Sequence, residues 1–239
     1  MGISRGKKIV TDGLIFYIDA ANPKSYVSDS TTCSNLRSDT IEGTLINGTA
    51  FSTDNNGVFD FDGTNDYINF GDLDAVNLIG SWSWNFWVLN DTWQAYIHIL
   101  SKLSSGYVGW RFQLMIHASG GGFLTLVTYN GTNANSLFNA SGELSLGVWH
   151  NICITYNDGD TKPLYYLDNI SQDWSYQLGG AYRNYWIPPL SSDDNFMIGT
   201  SAARAQTHNG KLSNVSYYNR ALSTAEVSQN YNVLKSRFI

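Results

Sequence analysis

Val58-Phe59-Asp60-Phe61-Asp62-Gly63-Thr64-Asn65-Asp66-Tyr67-Ile68-Asn69-Phe70 is the stretch from which the fold is read. Phe59 and Phe61 flank Asp60, and Ile68 and Phe70 flank Asn69. Successive side chains of a strand point to opposite faces, so a period of two describes half-buried strands. Asp62-Gly63 and Asn65-Asp66, between the two runs, are residue types that tolerate positive φ. The stretch is therefore read as a β-hairpin.

Outward from it, short apolar runs alternate with Gly and Asn, and only four prolines occur. Expected strands are 13–19, 57–62, 66–71, 82–89, 96–102, 109–117, 122–129, 148–156, 163–169, 194–199 and 210–219. Asn157-Asp158-Gly159-Asp160 marks a second hairpin. Many strands and almost no helix predict an all-β, two-sheet antiparallel sandwich. One helix is expected at the C-terminal end. Ser223 and Glu226 form a capping box there, and Leu222 and Val227 are placed for a hydrophobic staple.

Charged residues are only 14% of the chain, against about 25% in typical soluble domains. Asn, Ser, Thr and Gly supply the polar surface instead. A net charge of −6 with 14 scattered basic residues leaves no footprint for nucleic acid. Aromatic content of 14% argues against disorder. There is no apolar run of transmembrane length and no apolar stretch of a Sec-type signal peptide. Cys153 is expected near the core and Cys33 in a Thr/Ser-rich loop, read as two free thiols with a bridge between them as the alternative. Residues 1–12 are read as an N-terminal arm and 13–239 as one domain.

Eight segments in register resemble the concanavalin A-like lectin/glucanase superfamily, in its laminin-G-like jelly-roll branch. Among them are residues 13–19 and 43–48, Phe59–Ile68, Trp84–Val88, Gly147–Ile152, Leu164–Asn169, Phe196–Thr200 and Gly210–Ser223. The resemblance implies two antiparallel sheets packed face to face. The opening (Lys8–Leu14 and Asp19–Tyr26) and the ending (Gln229–Asn232 through Arg237-Phe238) resemble virion-associated proteins of tailed phages. The chain departs from that pattern near Cys33, where such sequences usually carry a Trp before the Asn-Leu pair. The implied role is a non-enzymatic virion structural or decoration protein that binds other virion proteins or itself. It would be assembled in the host cytoplasm, without membrane insertion. The alternative is an adhesin module that binds host-surface glycan.

The superfamily includes glucanases, and retaining glycosidases need two carboxyl groups about 5–5.5 Å apart. The only glutamates are Glu42, Glu143 and Glu226, none with a partner at the Glu-x-Asp-x-x-Glu spacing of jelly-roll glucanases. No enzymatic activity is expected. His98, His117, His150 and His208 are dispersed, and His150 is read as a structural hydrogen-bonding residue. Residues 171–192 read as a long aromatic loop, and such loops are often functional or interfacial. Trp174, Tyr176, Tyr182, Arg183, Tyr185 and Trp186 in it are candidates for contact with a partner or a glycan. Packing within the domain is the competing reading. Trp93 and Tyr96 form a smaller set of the same type. Many members of the superfamily bind calcium near loop-borne Asp and Asn. Asp158, Asp160, Asp193 and Asp194 are weak candidates, but no loop matches a calcium motif and no metal ligand is assigned.

Overall fold

The computed structural model describes residues 8–94, 96–116, 121–131, 134–176, 185–202 and 206–239. In chain order the strands are β1 (Leu14–Ile18), β2 (Thr32–Ser34), β3 (Glu42–Ile46), β4 (Ala50–Ser52), β5 (Val58–Asp62), β6 (Tyr67–Asn69), β7 (Trp82–Asn90), β8 (Ile97–Leu103) and β9 (Val108–Ile116). There follow β10 (Gly122–Asn130), β11 (Ala134–Ala140), β12 (Trp149–Tyr156), β13 (Leu164–Leu167), β14 (Ile170–Gln172), β15 (Trp174–Tyr176), β16 (Phe196–Ile198) and β17 (Asn209–Tyr218), then helix α1 (Thr224–Leu234). Two antiparallel sheets form the expected jelly-roll sandwich. One runs β14-β13-β12-β7-β17-β5-β4, with β1 also paired to β17. The other runs β15-β11-β10-β9-β8-β16-β6-β3-β2.

The opening stretch is not a hairpin. β5 pairs with β4 and β17, whereas β6 pairs with β3 and β16 in the other sheet. The loop at Gly63–Asp66 therefore crosses between sheets. Both strands bury one face in the same core, so their alternation is that of a hairpin. The expected pair around Asp158-Gly159 does form, as β12–β13, with Gly159 at φ 92°. Residues 171–192 are not one loop either. β14 closes one edge of the first sheet and β15 pairs with β11 at the edge of the second.

The core between the sheets is aromatic. Trp84 lies 4.7 Å from Tyr217, 5.4 Å from Phe196 and 5.5 Å from Trp110, ring centre to ring centre. Cys33, in β2 rather than a loop, and Cys153 are buried free thiols, and burial pushes Cys33 up to about 12. β1 is completed by a side chain rather than a strand. The buried Asn35 accepts from Tyr17 N–H at 2.8 Å and donates to the Ile15 carbonyl at 3.2 Å.

Helix α1 covers the outer face of the first sheet. Its capping box is present: Ser223 N–H donates to Glu226 Oε2 at 2.9 Å, and Glu226 N–H donates to Ser223 Oγ. Arg220 also binds Glu226, which holds that carboxyl at about 2. The described part of the N-terminal arm is docked here. Val10 N–H donates to Asn230 Oδ1 at 2.8 Å, Asn230 donates to Tyr218 Oη at 3.0 Å, and Tyr218 donates to the Val10 carbonyl at 3.0 Å.

Candidate functional site

The turn between β8 and β9 presents one exposed ring in an unusual backbone state. Tyr107 N–H donates to the Ser104 carbonyl (3.0 Å), Ser104 N–H to the Val108 carbonyl (2.9 Å), and Gly131 N–H to the Tyr107 carbonyl (2.7 Å). These bonds hold Tyr107 at φ 57°, which costs a bulky residue on the order of 1 kcal/mol or more. The ring stays 52% exposed. It leans on Tyr129 at 5.5 Å, and the Arg111 guanidinium lies 5.2 Å from the Tyr129 ring centre. An exposed aromatic face, a second ring and a cation are thus brought together from three strand ends.

Beside this cluster lies a pocket of about 360 Å³ lined by Ser104, Val108, Ser191, Ser192, Asp193 and Asp194. Its far wall is Ser191, Ser192, Asp193 and Asp194, shortly before β16. That wall and the residues leading into it are pinned repeatedly. Thr128 donates to the Ile187 carbonyl (3.0 Å), Ser136 to the Tyr185 carbonyl (2.9 Å), and Asn77 to Ser191 Oγ (2.9 Å). The strongest pin is Lys102. Its side chain is wholly buried, and its ammonium donates to Asp72 Oδ1 and to the carbonyls of Ser192 (2.6 Å) and Asp194 (2.9 Å).

Lys102 bears on the calcium expectation. The oxygens beneath Asp193 and Asp194 already converge on an ammonium, and calcium wants six to eight oxygen ligands. Asp158 and Asp160 sit in the β12–β13 turn, where their N–H groups bond Ser81 Oγ and the Asn157 carbonyl. Among the described residues no three His, Cys, Asp or Glu side chains converge as metal ligands. Among the described residues neither Asp pair gathers the ligand set that the ion needs. Lys102→Met should lower unfolding free energy by about 2 kcal/mol, since it orphans two carbonyls and a carboxylate. Urea unfolding reads this directly, and a loss below about 0.5 kcal/mol would remove Lys102 as the fastener.

The aromatic candidates divide. Trp186 is 7% exposed, packed among Trp82, Tyr156 and Phe138. Trp174 packs half-buried against Phe138 and Tyr165, with its Nε1–H donating to the Pro163 carbonyl at 2.7 Å. Trp93 packs partly buried on the core, its ring filling the space a Cβ on Gly122 would need. These three serve packing within the domain. Tyr185 and Tyr96 are exposed. Tyr96 precedes β8 and Tyr107 follows it, so about 20 Å of strand separates the two rings. Tyr182, Arg183 and the Tyr176 side chain lie outside the described residues. Sequence reasoning missed Tyr107, Tyr129, Arg111 and Lys102. A lysine within the apolar run Ile97–Leu103 was the one signal available for any of them.

The titratable groups are scattered. Glu42 and Glu143 are exposed on separate elements, and Glu226 belongs to the helix cap. Burial holds His98 down at about 3, with the nearby Arg111 charge adding to the effect, and burial holds His208 at about 4. His150 accepts from Ser145 N–H at Nε2 (3.0 Å), so Nδ1–H donates to Asp168 (2.8 Å). This is the structural role expected of it.

The same fold recurs in solved structures of low identity. Trypanosoma rangeli sialidase, in complex with sialic acid, matches with TM-score 0.63 at 14% identity, over 96% of this chain and 34% of that one. Domain 4 of the GH43 extracellular arabinanase of Geobacillus stearothermophilus, in complex with arabinotriose, matches with TM-score 0.62 at 13% identity, over 92% and 98%. The binding domain of Paraclostridial Mosquitocidal Protein 1 matches with TM-score 0.63 at 13% identity, over 92% and 52%. This chain spans about a third of the sialidase's length. No curated protein matches it in sequence. The laminin-G-like family model described as "Concanavalin A-like lectin/glucanases superfamily" matches residues 62–228. With that match, two sheets in jelly-roll order and a helix on the outer face, the chain belongs to the concanavalin A-like lectin/glucanase superfamily.

Proposed function

We propose that this chain is a non-catalytic glycan-binding module carried on the particle of a tailed phage. The carrying observation is Tyr107: an exposed ring, held in a strained backbone state beside Tyr129 and Arg111, in the turn whose Ser104 and Val108 line the adjoining pocket. Backbone strain clusters at ligand sites, and an aromatic platform with convergent polar groups suits a sugar. Two of the similar solved structures, the arabinanase domain and the sialidase, hold sugars. The non-catalytic part is supported by the dispersed glutamates and by His98 and His208, which stay neutral at working pH.

The particle reading is supported by one spatial fact. The two stretches that resemble tailed-phage virion proteins pack on each other, through Lys8–Gln229, Val10–Asn230 and Asp19–Arg237. They lie with α1 against the first sheet, whereas the Tyr107 cluster belongs to the second. Attachment and recognition would then use different surfaces.

The test is a glycan array on the wild type, followed by titration of the best glycan against Tyr107→Ala. At least tenfold weaker binding is expected, about 1.4 kcal/mol, with an unchanged melting temperature because the ring is half exposed. Silence of the wild type on the array would reject the glycan reading. Unchanged affinity of Tyr107→Ala would move the site elsewhere.

A further inference from the structure

A cavity of about 690 Å³ opens where the N-terminal arm, β1, the loop after β2 and the end of α1 meet. Its size is that of a ligand pocket. Leu14, Val233 and Leu234 contribute to an apolar floor, and Lys8, Lys24 and Arg37 stand around the rim. All three cations are exposed, and no carboxylate lines the cavity. Among the described residues none of the three is in an ion pair, whereas Lys102, Lys211, Arg220 and Arg237 all are. The Arg37 guanidinium is held at the rim by its Nε–H, which donates to the Leu14 carbonyl at 3.1 Å. In a chain of net charge −6, three of 14 basic residues thus gather at one cavity that no carboxylate lines, the nearest carboxylate among neighbouring linings being Asp39 beyond Lys24.

We propose that this cavity docks an acidic segment of a partner protein, its carboxylates on Lys8, Lys24 and Arg37 and an apolar side chain on the floor. Opposite charge around an apolar centre is the arrangement of a specific protein contact, in which charge sets partner choice and encounter rate. A nucleic acid fits worse, because three cations are a small footprint on an acidic protein and the floor offers nothing to a phosphate. Most of the lining comes from the two stretches that resemble virion proteins, so the site lies where a particle protein would be held. The inference is independent of the glycan reading, since no residue of this cavity belongs to the Tyr107 cluster.

The test uses the full chain and fluorescence anisotropy with a fluorescein-labelled peptide, Gly-Asp-Leu-Glu-Leu-Asp-Gly. Its counterpart, Gly-Asn-Leu-Gln-Leu-Asn-Gly, keeps the apolar side chains and removes the charge. Lys24→Glu/Arg37→Glu reverses two exposed charges, and the melting temperature checks that it folds. The acidic peptide is expected to bind, with at least tenfold weaker binding in the double variant and in 0.5 M salt, which screens exposed charges within a few ångströms. The neutral peptide should bind at least tenfold more weakly than the acidic one. Equal affinity for the two peptides, no binding of the acidic one at 1 mM, or an unaffected double variant would each overturn the proposal. Equally tight binding of a 12-nucleotide DNA strand would replace it with a general polyanion patch.

Discussion

Arg237→Ala is expected to lower the unfolding free energy by about 3–5 kcal/mol, the range for removing one partner of a buried ion pair. Arg237 Nη1 lies 3.1 Å from both Asp19 carboxylate oxygens, with the side chains only 15% and 12% exposed. Nε–H donates to the Asn55 carbonyl (3.0 Å) and Nη2–H to the Gly57 carbonyl (3.1 Å). One guanidinium therefore joins the C-terminal segment to the end of β1 and to the turn before β5. Truncation leaves a shielded carboxylate and two carbonyls without their donor. It also frees the segment that carries Phe238, whose ring stacks on Trp87 at 4.4 Å and packs on Trp149 at 4.8 Å. Arg237→Lys should recover only part of the loss, because an ammonium lacks the planar fork that reaches three acceptors at once. Guanidinium unfolding followed by tryptophan fluorescence measures both variants. A loss below about 1 kcal/mol for the alanine variant would show that the C-terminal segment is held by its aromatic contacts alone.

Trp186→Ala should cost about 3–5 kcal/mol, the range for removing a buried indole from a packed core. The ring sits 5.0 Å from Tyr156 and 5.3 Å from Trp82, and its backbone N–H donates to the Thr161 carbonyl at 2.6 Å. At roughly 2–4 °C per kcal/mol for a chain of this size, the melting temperature should fall by roughly 10 °C. Glycan binding by the fraction that remains folded should persist, because the ring is turned into the domain. Tyr107→Ala is the mirror case, with affinity lost and stability kept. A Trp186→Ala variant of normal melting temperature and lost binding would return this residue to the recognition surface.

The two tryptophans of the aromatic stretch show why a site is harder to read than a fold. Trp174 and Trp186 look like a binding platform because the stretch lacks alternation and ends in Pro188-Pro189. Trp174 sits in β15 at a sheet edge and packs on Phe138 and Tyr165, whereas Trp186 fills the core among Trp82, Tyr156 and Phe138. Tyr107, by contrast, is a single aromatic after Ser104-Ser105-Gly106. Nothing local marks its ring as exposed. Arg111 follows four residues later in β9, but Tyr129 reaches the cluster only through the β9–β10 pairing, some 20 residues along the chain.

Locally encoded features were legible from residues alone. The strands with clean alternation, the β12–β13 turn, the Ser223–Glu226 capping box and the burial of Cys153 each depend on neighbours a few positions apart. The number of short strands pointed to a sandwich, and the family resemblance added its jelly-roll kind. β3 (Glu42–Ile46), β11 (Ala134–Ala140) and the three-residue strands β2, β4, β14 and β15 were not among the expected strands, because short segments, or those rich in Gly, Asn and Ser, carry little periodicity. Pairing was decided only in three dimensions. The period of Val58–Phe70 states that two faces are buried, and it is silent on which sheet each strand joins. That choice rests on β17 and β16, some 150 and 130 residues downstream, whose edges take β5 and β6 apart. The Lys102 ammonium, the Arg237 fork and the basic cavity are of the same kind, because each exists only where distant backbone oxygens or side chains meet.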